Sequence, residues 1–117
     1  MGRPSIAVEL WGRPQQLAMA ARGTFDIGFS VENVGDKTLD PKIDYGRLTV
    51  NGTPSREWTT AVVNGSREKE WYALPPGRKV SRHWPLGMAL FPSLGRYTLV
   101  LTVDGVAAAP LTIQVVE

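Results

Sequence analysis

From Phe25 to Val34 apolar and polar residues take strict turns: Phe25, Ile27, Phe29 and Val31 alternate with Asp26, Gly28, Ser30 and Glu32. A period of two belongs to the β-strand, whose successive side chains point to opposite faces of a sheet; on a helix the same residues would scatter around the axis. The stretch is therefore a strand with one buried and one wet face, closed by Asn33-Val34-Gly35-Asp36, where Gly35-Asp36 supplies a turn. Tyr97, Leu99, Leu101 and Val103 repeat the pattern, stop at Asp104-Gly105, and are answered by Leu111, Ile113 and Val115. Two alternating runs around such a dipeptide predict a hairpin.

The remaining segments extend this reading. Ile6, Val8 and Leu10 alternate with Ser5, Ala7 and Glu9 up to Gly12-Arg13-Pro14. Proline has no N–H for a ladder, so the break suits an edge strand that changes partner or sheet and resumes with Leu17 and Met19. A helix over Gln15 to Arg22 is the competing expectation, favoured by Gln, Leu, Ala, Met and Arg but short and without a capping box. Ile43, Tyr45, Leu48 and Val50 lead to Asn51-Gly52, a hairpin cue, with Thr53-Pro54-Ser55 implying a longer connection. Trp58, Thr60 and Val62 then read as a return strand, partly burying Trp58, and Glu68 to Ala73 as a short strand or extended loop. Leu74-Pro75-Pro76-Gly77 is a turn, after which Val80, Arg82, Trp84 and Leu86 share one strand parity, with Trp84 the tryptophan assigned to the core. The expectation is an all-β sandwich of seven or eight mainly antiparallel strands in one domain, residues 1–117.

Composition agrees with that class. A chain of 117 residues with 43% hydrophobic and 21% charged residues has material for one self-supporting core. No apolar run is long enough to span a bilayer, so no transmembrane segment is expected. The net charge is only +2 and no nucleic-acid module is recognisable, which argues against a nucleic-acid partner. Without cysteine there are neither disulfides nor thiolate chemistry. Met1-Gly2-Arg3-Pro4 runs straight into a strand pattern, which implies a cytoplasmic protein, or a cell-envelope or secreted one whose leader has been removed.

Leu94-Gly95-Arg96-Tyr97-Thr98-Leu99 resembles the tyrosine corner of immunoglobulin-like and fibronectin type III-like sandwiches, in which a phenol closes one end of the core and bonds nearby backbone. Together with Asn33-Val34-Gly35-Asp36 and Leu74-Pro75-Pro76-Gly77, it is similar to bacterial immunoglobulin-like domains, including those like the intracellular proteinase inhibitors of bacilli. The resemblance implies an immunoglobulin-like β-sandwich used for adhesion, carbohydrate binding, inhibition or spacing. It carries no functional residue across.

The chain offers little for catalysis. His83 is the single histidine, on the parity opposite Trp84, and no carboxylates are spaced to converge on it as metal ligands. Ser81 or Ser93 with His83 and Asp104 would make a triad only on paper: Ser81 and His83 share a strand face, and no Gly-x-Ser-x-Gly elbow is present. No phosphate-binding glycine motif occurs, so no cofactor is implied. Asn51-Gly52-Thr53 and Asn64-Gly65-Ser66 match the glycosylation pattern but are explained by turns.

The expectation is a binding or structural module rather than an enzyme, with a protein partner first, carbohydrate second and proteinase inhibition third. Its candidate surface gathers turns, cations and an indole: Arg56, Arg67, Lys69, Trp71, Arg78 and Lys79, with Trp11 and Trp71 the tryptophans free to reach solvent and Tyr72 pointing away from Trp71.

Overall fold

The alternating runs pair as two sheets in the computed structural model, which describes residues 5–65 and 68–117. In chain order the strands are β1 (Ile6–Arg13), β2 (Gln16–Ala18), β3 (Asp26–Asn33), β4 (Arg47–Val50), β5 (Thr53–Pro54), β6 (Lys79–Trp84), β7 (Gly95–Val103), β8 (Val106–Ala107) and β9 (Leu111–Val116). One sheet has the order β1-β3-β6, and the other β2-β9-β7-β4-β5, with β8 folded back on β7. All pairings are antiparallel except β2 with β9. Nine strands stand where seven or eight are expected, because β5 and β8 are two-residue arms of tight turns.

The chain does change sheets at Pro14. β1 lies antiparallel to β3, and β2 lies parallel to β9 with Leu17 opposite Val115. The competing helix is met only in part: after three residues of strand, Met19–Thr24 coil into a 3₁₀ turn.

On β7 and β9 the buried residues come from every second position, Leu99, Leu101 and Val103 of β7 and Leu111, Ile113 and Val115 of β9. By contrast β3, central in its sheet, buries Ile27, Phe29 and Val31 on one face and also Gly28 and Ser30 on the face expected to be wet. Each large apolar side chain contributes about 1.5–3 kcal/mol when fully buried. Phe29 stacks on Trp84 at 5.8 Å and meets Trp58 and Trp71 edge-on at 5.6 and 6.2 Å, so three indoles surround one phenyl ring. Trp84 is only half-buried, while Trp58 and Trp71 are fully enclosed at 1% exposure each. This reverses the expected ranking of the tryptophans. Trp84 sits near the end of an edge strand, whereas Trp58 and Trp71 are delivered by helical segments that plug the space between the sheets.

Those helical segments are the main departure from the expected strands. Arg56–Asn64 forms a helix, α1, instead of a return strand. The Ser55 hydroxyl accepts the Trp58 N–H at 3.2 Å and caps it. Asn51-Gly52 makes a hairpin turn, but a minimal one: Val50 faces Thr53 directly, and φ values of 50° and 84° are those of a type I′ turn. Lys69–Trp71 is a 3₁₀ turn rather than a strand, and Gly87–Leu90 is a single helical turn, α2.

Buried Asn33 joins two of the sequence landmarks. Its Nδ2 donates to the carbonyls of Lys37 and Leu74 at 2.8 Å each, and its Oδ1 accepts the Gly35 N–H at 2.9 Å. Its backbone carbonyl accepts the Gly77 N–H and its N–H donates to the Arg78 carbonyl. One side chain therefore holds the turn after β3 and the proline turn before β6 against each other. At the far end of β7, the Tyr97 hydroxyl donates to the Ser93 carbonyl at 2.8 Å, four residues upstream.

Candidate functional site

α1 lies as a ridge between two recesses. Trp58 and Val62 face the core, which leaves the other flanks of the helix to solvent. On one flank, Arg56, Glu57, Thr60, Ala61 and Asn64 border a groove of about 440 Å³ with Leu86 and Ala89 on its far wall. A smaller hollow of about 250 Å³ shares Glu57 and Ala89 and continues it toward β5 and Tyr97. On the other flank, Thr59 closes a recess of about 220 Å³ with Asp44, Tyr45, Gly46 and Arg47.

Asp44 organises that second recess. Trp71 Nε1 donates to its Oδ1 and the Tyr72 hydroxyl to its Oδ2, both at 2.9 Å. Neighbouring residues of one tight turn thus grip the two oxygens of a single carboxylate, a charge-assisted arrangement that fixes the turn against the Ile43–Tyr45 segment. The indole is buried and the phenol about half exposed, yet both reach the same carboxylate, so Trp71 is no surface platform and Tyr72 does not turn away from it as expected. The Arg82 guanidinium covers the Trp71 ring at 5.4 Å and pairs with Glu68 at 3.1 Å.

Around this ridge the protein exposes apolar surface. Of six exposed large hydrophobic side chains among the described residues, Tyr45, Val63, Tyr72 and Met88 lie on α1, beside Asp44 or in the turn that carries Ala89. Tyr45 is 78% exposed and Met88 60%. Large side chains left in water next to grooves form an adhesive patch, since their desolvation favours contact.

The five candidate residues among those described fall on three segments: Arg56 on α1, Lys69 and Trp71 on one 3₁₀ turn, and Arg78 and Lys79 at the approach to β6. Arg56 borders the larger groove, and exposed Lys69 opens the turn that carries Trp71. Arg78 precedes β6 and Lys79 opens it, three residues before Arg82, whose guanidinium lies over the Trp71 ring. Arg67 lies outside the described residues. The exposed Tyr45, Val63, Tyr72 and Met88 carry no local motif, and Tyr45 and Tyr72 are brought together only through Asp44, 28 residues from Tyr72.

His83 is exposed on the outer face of β6, with Nδ1 3.8 Å from Asp26 Oδ2. Among the described residues no three His, Asp or Glu side chains converge on a point where a metal ion would sit, and no helix is long and apolar enough to cross a membrane. The chain matches no protein-family model and no curated protein sequence.

Proposed function

We propose that this chain is a non-catalytic recognition module with an immunoglobulin-like arrangement, which binds a protein partner through α1 and the two recesses beside it. The arrangement is supported by the sheet orders, by a first strand divided between the sheets at Pro14, and by the Tyr97 hydroxyl bonded to backbone four residues upstream. The single observation behind the protein partner is the concentration of exposed Tyr45, Val63, Tyr72 and Met88 around one helix. Tyrosine and methionine suit such a role: the first offers a wide rigid contact with little entropy to lose, and the second adapts its shape.

A photo-crosslinking residue at Tyr45 tests the reading, with the same residue at Thr112 on the second sheet as reference. A partner trapped from Tyr45 but not from Thr112 is then purified and its affinity measured for Tyr45→Ala/Met88→Ala. The expected result is a loss of at least about tenfold. Equal affinity of the double variant, or no specific adduct at Tyr45, would leave the chain as a spacer.

A further inference from the structure

The outer face of the β1-β3-β6 sheet carries a second, separate feature. Register places Trp11, Gly28 and His83 in one row across three strands, with Arg13 opposite Asp26 in the row beside it and Glu9, Ser30 and Ser81 in the row on the other side. Along the central strand this face has only Gly28 and Ser30, both buried, between larger residues on the two edges. The floor is therefore low in the middle.

Trp11 uses that floor. A Cβ added to Gly28 would lie 2.1 Å from Cζ2, 2.3 Å from Cε2 and 2.8 Å from Cη2 of the indole. Distances this short to three adjacent ring atoms place that point on the face of the indole, above its rim at the Cε2–Cζ2 bond. The indole therefore lies face down on the glycine, and its other face is turned away from the sheet. His83 flanks the ring at 5.9 Å, tilted by 39°, and the Arg13 guanidinium lies over it at 5.3 Å, on the face away from Gly28. Both Arg13 and His83 are exposed, and Asp26 stands 3.8 Å from His83.

The geometry points to a binding site for one ring of a neutral saccharide on the outward face of Trp11, reached as the exposed Arg13 guanidinium swings from above the ring to its rim. A pyranose presents an apolar face of C–H groups and a rim of hydroxyls that both donate and accept. Here a rigid aromatic plate meets the first need, and donors (Arg13, His83) with acceptors (Asp26, Glu9) at its margin meet the second. The neighbouring charges oppose one another, so the site favours a ligand without net charge. Asp26 and Glu9 repel a phosphate, and Arg13 repels a quaternary ammonium group, for which a single ring is in any case no cage. This surface is independent of the α1 patch.

The test is titration of the labelled protein with neutral oligosaccharides, namely cello-, manno-, xylo- and chito-oligosaccharides up to about 10 mM, following the four indole N–H resonances. At millimolar affinity such a titration still reads binding. The Trp11 resonance should shift with at least one sugar while that of enclosed Trp71 does not. Affinity should fall at least about tenfold in Trp11→Ala and severalfold in Asp26→Asn. Gly28→Ala keeps every tryptophan but lifts the indole from its floor, and it should weaken binding as Trp11→Ala does, with the fold checked by the remaining amide spectrum. No shift at Trp11 with any sugar overturns the proposal, as does binding unchanged in Gly28→Ala and Asp26→Asn. Tyr45→Ala/Met88→Ala should bind sugar normally, so loss of the protein-partner reading leaves this one standing, and the reverse.

Discussion

Asn33 is wholly buried and makes three side-chain hydrogen bonds, of which the one to the Leu74 carbonyl is itself buried. Truncating it removes all three bonds at once and leaves the buried Leu74 carbonyl with the Leu39 N–H alone. Asn33→Ala should cost roughly 2–4 kcal/mol, read as a lower urea midpoint at unchanged slope. Tyr97→Phe tests the other end of the sandwich: it removes the hydroxyl from the Ser93 carbonyl and should cost about 1–3 kcal/mol in the same assay. An unchanged midpoint in either variant would remove that residue's structural role. Tyr97 and Asn33 both stand in motifs that are recognisable in the sequence. Trp71 does not fit so easily, because its partner Asp44 is 27 residues away and its neighbour Glu70 is charged. Nothing local says that this indole turns inward.

Among the elements, β7 and β9 are legible because one face of each is buried along most of its length, so that alternation and burial coincide, and β3 is legible because its polar-side positions are small or charged even though Gly28 and Ser30 are buried as well. α1 is misread for a definite reason. Trp58 and Val62 stand four apart, a spacing common to one helix face and one strand face, and the β-branched run Thr59, Thr60, Val62, Val63 leans toward strand. What separates the two is Ser55: it ends the hairpin and caps the helix, taking the Trp58 N–H and donating toward Glu57 at 3.4 Å. Ser55→Ala should therefore lower stability by about 1 kcal/mol, measured by thermal unfolding, with increased amide exchange confined to the first turn of α1. The 3₁₀ turn at Lys69–Trp71 is a single turn, too short for any period to show. With the helix misread, the grooves beside it and the exposed Tyr45 and Met88 are illegible too, since recesses arise where elements meet.

Over the whole molecule, two sheets enclose a core that three kinds of closure complete: α1 and the Lys69–Trp71 turn on one side, α2 against Met19–Thr24 on another, and the Asn33 junction at the end. Arg22 belongs to the second of these, its guanidinium donating to the Phe91 carbonyl at 2.7 Å and to the Met19 carbonyl at 3.0 Å. The surface is correspondingly divided, with exposed Tyr45, Val63, Tyr72 and Met88 near α1 and Trp11 on the outer face of the other sheet. The parallel pairing of β2 with β9 has a mechanical consequence. Tension drawing the preceding and following stretches of the chain in opposite directions runs along the axis of both strands, so Gln16 to Ala18 can slide past Gln114 to Val116 only if their rungs break together. Loaded in that direction the pair acts as a lock against stretching, whereas the antiparallel β7-β9 hairpin, pulled from its open end, would unzip rung by rung.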